Sequence, residues 1–285
     1  MQALRPVLEI HRGRPTSDGA GVRLTRVFGG RALERFDPFL MFDEFGSENP
    51  DEYIAGFPPH PHRGFETITY MLQGRMRHRD QMGNVGLLES GGVQWMTAAR
   101  GVIHSEMPEQ TDGLMRGFQL WLNLPARDKL GEPGYRDFAP EQIPRLTTRE
   151  GVEVVVIAGR FDDGSQQMDG AVQKPHSEPQ LFDLRLPAGS RIAPRLPDGL
   201  RVMLYVYEGE VLAQGETRPV GAGQLLRLGD DGGISLSANS AARVLLIAGK
   251  PLNEPIVQYG PFVMNSREEI DQALQDFHSG KLAAS

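Results

Sequence analysis

The sequence predicts an all-β protein, with two tandem β domains of sandwich or small-barrel type followed by one C-terminal helix. Three observations carry this expectation. Short runs rich in β-branched and aromatic residues recur with turn signals at about the 8–12-residue spacing of barrels and sandwiches. The chain of 285 residues holds 34 Gly and 21 Pro, a turn-rich composition. Landmarks of the first half also return, in order, in the second. Helical patterns between the strands, the mark of a parallel α/β fold, are missing.

In chain order, residues 65–72 read as a strand that Gln73-Gly74 breaks, and residues 75–80 follow. Met82-Gly83-Asn84 makes the next turn, then come strands at 85–88, 93–97 and 117–124, the last stopped at Pro125. Residues 125–149 are polar and Pro-rich and read as a linker. The expected division is therefore an N-terminal domain over 1–135 and a C-terminal one over 136–285. Strands resume at 152–158 and 180–186. Tyr70, Gly74 and Met76 then align with Tyr205, Gly209 and Val211, Gly92-Val-Gln94 with Ala222-Gly-Gln224, and 118–122 with 244–248. Near the end, Ser266-Arg-Glu-Glu269 forms a capping box. Ile270, Ala273, Leu274 and Phe277 make one apolar stripe before Gly280, and this helix is expected to dock across the two β domains.

Composition narrows the function. With 39% hydrophobic and 24% charged residues the chain is an ordinary globular protein. A net charge of −7 argues against direct nucleic-acid binding. Absent cysteines exclude disulfides, Cys-based zinc sites and Cys nucleophiles, so a metal must use His, Asp or Glu. No apolar run is long enough to span a membrane. The N-terminal segment has no secretory pattern, so a cytoplasmic location is expected.

Two short motifs carry chemistry: Pro58-Pro-His60-Pro-His62-Arg-Gly and Arg100-Gly-Val-Ile-His104-Ser-Glu106. Residues i and i+2 of a strand share a face. His60 with His62, and His104 with Glu106, can thus aim at one point. Pro61 places the first pair at a strand start or sheet edge, because proline cannot donate to a ladder. A regular strand would give His60 and His62 the parity of Ile68, Tyr70 and Leu72, facing the barrel interior. Three imidazoles and a carboxylate suit Fe(II), Mn, Ni, Cu or Zn, with open positions on an octahedral ion. A lone His-x-His is commonly a solvated loop or a satisfied core pair, so the second motif is what argues for a metal. His78 shares the strand parity, but its flanking arginines favour a solvated or hydrogen-bonded role. His11, His176 and His278 read as surface residues, and Trp95 and Trp121 as core or pocket wall.

Residues 37–45, 56–67, 93–97 and 101–108 together resemble the pirin family of the cupin superfamily. The likeness is densest over about residues 22–125. It implies a bicupin, two cupin barrels in tandem, with metal in the N-terminal one only. The family's ligands would fall on His60, His62, His104 and Glu106, around one divalent transition metal: Fe(II) first, with Mn, Ni, Cu, Zn or Co as alternatives. At the corresponding places of the second repeat stand Arg195, Pro197, Ile234 and Leu236, which cannot rebuild the site. The implied activity is ring-opening 2,3-dioxygenation of a flavonol such as quercetin, with dioxygen as co-substrate and Glu106 as catalytic proton acceptor. The alternative is a non-catalytic metal-binding regulator that acts on a transcription factor or metabolic enzyme through a protein partner.

Overall fold

A computed structural model describes residues 3–29, 36–174 and 176–283. The chain divides into two compact units, 14–140 with 252–285 and 1–13 with 141–251. The division thus lies at 140 rather than 135, and the two ends of the chain change places. The N-terminal strand Val7–Arg12 pairs with Gln224–Leu228 and so belongs to the second unit. The C-terminal hairpin Val257–Tyr259/Phe262–Met264 and the helix Arg267–His278 belong to the first. No helix among the described residues is long and apolar enough to cross a membrane.

The expected linker is in large part structure. Residues Gly134–Phe138 pair with Val93–Thr97 as an edge strand of the first unit. Lys129 is buried, and its Nζ donates to three oxygens, Gly64 O at 2.6 Å, Asn123 Oδ1 at 2.6 Å and Val263 O at 3.0 Å. A polar composition concealed this because one satisfied ammonium can sit in a core as an anchor.

Each unit joins a seven-stranded and a four-stranded antiparallel sheet. In the first unit the long sheet runs Gly134–Phe138, Val93–Thr97, Phe65–Gln73, Met115–Asn123, Phe39–Ser47, Val22–Phe28, Arg14–Asp18. Its short sheet runs Phe57–His62, Val102–Pro108, Arg75–Asp80, Val85–Glu89. The second unit repeats both orders. Its long sheet runs Val7–Arg12, Gln224–Leu228, Arg201–Glu208, Ala242–Gly249, Gln180–Leu186, Glu153–Ala158, Arg145–Thr147. Its short sheet runs Arg191–Ile192, Leu236–Ser237, Glu210–Ala213, Val220–Gly221. The three landmarks therefore occupy matching strands. Register agrees as well. Glu106 lies opposite Phe57 and His78, and Leu236 lies opposite Ile192 and Ala213.

The interiors differ. The second barrel is filled by one continuous apolar cluster drawn from both sheets, including Phe182, Leu204 and Leu246 with Ile192, Val211 and Leu236. In the first, apolar residues form separate clusters, and His62, Thr69, His78, His104 and Glu106 are buried as well. Polar groups enter a core only with partners, so this interior is built for a purpose other than packing.

The parity expected to join His60 and His62 to Ile68, Tyr70 and Leu72 does not hold. The strand Phe57–His62 does not continue regularly into Phe65–Gln73, because Gly64 sits between them at φ +89°. The inward residues of the second strand are Thr69 and Met71, while Ile68 and Tyr70 share the other face with Leu120 and Phe118. A Cβ on Gly64 would stand 2.0 Å from Val263 O. Gly64→Ala is expected to destabilise the fold by about 2 kcal/mol or more, since both backbone conformation and space oppose it. A urea midpoint equal to wild type would refute this.

The helix starts at the expected capping box, with Ser266 accepting from Glu269 N–H and Glu269 from Ser266 N–H. Its buried face, Ile270 and Ala273, packs with Phe262, Met264 and Leu282, all in the first unit. The helix thus covers its own unit's hairpin, where a docking across both β domains was expected. Arg63 pairs with Asp276 at 2.8 Å and ties the helix to the end of the His60–His62 strand.

Candidate metal centre

The short sheet of the first unit brings the two histidine motifs side by side. Phe57–His62 is an edge strand, as Pro61 requires, and His104 lies directly opposite His60. The donor atoms of His60, His62 and His104 all fall within 4.8 Å of one another. His60 Nδ1 donates to Pro58 O at 2.8 Å, which leaves its Nε2 as the free donor. Nδ1 of His62 and Nε2 of His104 are buried and have no hydrogen-bond partner among the described residues. Burial, reinforced by the neighbouring imidazoles, holds both rings well below the usual histidine range. They are therefore neutral at physiological pH, the state in which an imidazole nitrogen binds a metal.

Glu106 points inward beside them, but it is outside the three-histidine cluster. Two features account for this. The pairing with Phe57–His62 shifts register between His104 and Glu106. The carboxylate is also engaged from the long sheet: Thr69 Oγ1 donates to Oε1 at 3.3 Å and Gln119 Nε2 to Oε2 at 3.2 Å. Trp121 Nε1 donates to Gln119 Oε1 at 3.4 Å, which turns the amide so that its NH₂ faces Glu106. Thr69 and Gln119 are cross-strand neighbours and so reach the carboxylate together.

An aromatic wall closes one side. Phe65 and Trp121 have ring centroids 4.3 Å apart, and both meet the His62 ring, at 5.1 and 5.3 Å. His78 is buried at 2% exposure, so the solvated alternative fails and the hydrogen-bonded one holds, with His104 as its contact. His176 and His278 are exposed and His11 is partly so, as expected. The sequence reading passed over Thr69 and Gln119. The available signal was a lone amide within the apolar run Phe118-Gln-Leu-Trp-Leu122, a polar residue on an otherwise buried strand.

The unpartnered buried nitrogens test the metal expectation. Left empty-handed, each would be a costly polar atom in a core. As donors to one ion they are satisfied, so the three residues fit a transition metal.

The Pirin family pattern matches residues 21–122, and that of the pirin C-terminal cupin domain matches residues 181–283. The chain belongs to the pirin family. A Pseudomonas aeruginosa protein that carries the provisional name quercetin 2,3-dioxygenase is 67% identical over 99% of this chain and 100% of its own. A pirin-like protein of Caulobacter vibrioides is 49% identical over 98% and 99%. Among solved structures, a quercetin 2,3-dioxygenase from Acinetobacter baumannii superposes with a TM-score of 0.90 at 33% identity, covering 99% of both chains. This pirin-family chain is accordingly a bicupin. Its two barrels are the expected ones, and the clustered histidines lie in the first.

Proposed function

We propose that this pirin-family protein is a metal-dependent dioxygenase that opens the ring of a flavonol such as quercetin. The observation that carries the proposal is a cluster of three imidazoles, two of them (His62 and His104) with buried, unpartnered nitrogens, next to an inward carboxylate. His60, His62 and His104 would hold one divalent first-row metal, Fe(II) first, with Glu106 as the fourth ligand the family likeness implies. Such an ion would supply a Lewis-acid and redox centre for the flavonol and dioxygen.

The remaining work belongs to the chain. Glu106 accepts the proton of the flavonol hydroxyl as general base. Gln119 and Thr69 orient its carboxylate by donating to it. Phe65 and Trp121 offer flat apolar surface to aromatic rings and keep water from that side. The names carried by the Pseudomonas and Acinetobacter relatives support the same substrate class.

The test loads the protein anaerobically with Fe(II), then admits quercetin and air. Loss of the flavonol absorbance with release of carbon monoxide is expected. No turnover with any first-row metal would overturn the reading.

A further inference from the structure

We propose that His78 is a positioning residue for the metal centre: it sets the tautomer of His104 so that Nε2 of His104 stays free as a donor. The inference rests on the metal-site reading above and concerns a residue outside its ligand set. His78 lies on Arg75–Asp80, opposite Glu106 and one step diagonal to His104. Its Nδ1 faces His104 Nδ1 at 3.4 Å, in a buried contact.

Two imidazoles that share one hydrogen bond nitrogen to nitrogen must divide their roles, one donating and the other accepting. If His104 Nδ1–H donates to His78, the Nε2 of His104 carries a lone pair and joins the cluster. If His78 donates instead, His104 carries its proton on Nε2, inside the cluster, and blocks ligation; either arrangement leaves one buried Nε2–H without an acceptor among the described residues, so access of His104 Nε2 to an ion is what distinguishes them. His60 has no such ambiguity, because a carbonyl can only accept and Pro58 O fixes its Nδ1–H. His104 is thus held by a partner that could play either part. Tyr135 lies against the His78 ring, at a centroid distance of 4.9 Å and an angle of 37°, and keeps it in place.

The duplication supplies a second, independent observation. In the second barrel the strand position of His78 is Ala213, opposite Leu236 as His78 is opposite Glu106. Ala213 is buried in a purely apolar cluster. The imidazole is absent from the repeat in which all four expected ligand positions are non-ligating, as a residue serving the site should be.

The experiment compares wild type, His78→Phe and His78→Asn in the full chain. Co(II) affinity is measured by competition with a chromophoric chelator, and the d–d absorption of each Co(II) form is recorded. His78→Phe should weaken Co(II) binding about 10–100-fold, the usual cost of losing an outer partner of a ligating histidine, and shift the d–d bands. His78→Asn, whose carbonyl accepts from Nδ1–H, should recover most of both. Wild-type affinity and spectrum in His78→Phe would overturn the proposal, as would equal losses in Phe and Asn. A second measurement needs no variant: in the zinc-loaded wild type, long-range ¹⁵N correlation should show His104 Nδ1 protonated and His78 Nδ1 unprotonated, and the reverse would overturn it. If wild type binds Co(II) no better than a His60→Ala control, the metal-site reading itself fails, and this inference falls with it.

Discussion

Glu106→Gln is expected to lower kcat on quercetin about 10²–10⁴-fold, the range for removing a general base. The substitution keeps the size of the side chain and the three imidazoles, so most of the bound metal should remain. What it removes is the only charged group that the structure places beside the cluster on the strand Val102–Pro108. Its second effect is local. Gln119 presents its NH₂ to the carboxylate because Trp121 holds its carbonyl, and an amide at 106 offers one acceptor where a carboxylate offers two. Steady-state kinetics together with metal content separate the two roles assigned to Glu106. Low kcat with metal retained identifies the proton acceptor, low kcat with metal lost identifies the ligand, and full kcat contradicts both.

Lys129→Met should destabilise the protein by about 2–4 kcal/mol near neutral pH, since three oxygens lose a buried donor and each such loss costs roughly 1–3 kcal/mol before the burial cost of the ammonium is recovered. The site is sensitive because two of those oxygens, Gly64 O and Val263 O, join the turn after His62 to the C-terminal hairpin. Lys129 also makes the effect depend on pH. Burial pushes its ammonium down to about 8, against the pull of Glu254 and Glu269. In the unfolded chain the group titrates near the ordinary lysine value of about 10.4. Below about pH 8 both states carry the proton and the burial cost is paid in full. Between about pH 8 and 10 the unfolded chain binds more protons, so this group makes wild type more stable as pH rises, by up to about 1.4 kcal/mol per unit. The stability gap between wild type and Lys129→Met, read from urea midpoints, should therefore widen over that range. A constant gap would contradict the buried-ammonium assignment.

Much of the site was legible because strand periodicity is a local property. Alternation alone put His60 with His62 and His104 with Glu106 on single faces, and a proline between two histidines pointed to a strand start or a sheet edge. The capping box at Ser266 and the strand pattern of the two repeats were legible for the same reason, each resting on residues a few positions apart. Register across strands is not local. Whether Glu106 joins the three imidazoles depends on a shift in pairing between His104 and Glu106, and on an amide contributed by Gln119 from the other sheet. Likewise, the parity expected to run from His62 to Ile68 was broken at Gly64, whose positive φ is set against the Val263 backbone.

By itself, the sequence determined the all-β class, the duplication, the two histidine motifs and the absence of ligands in the second repeat, because composition, short-range spacing and the ordered return of the same landmarks carry these. Tertiary structure alone decided that the N-terminal strand completes the second barrel, that the C-terminal helix stays on the first, and that Lys129 is a buried anchor. It also decided that His78 stands behind His104 and that Thr69 and Gln119 hold Glu106. These are contacts between residues distant in the chain, chosen by which strands pair and which polar groups find partners once water is excluded.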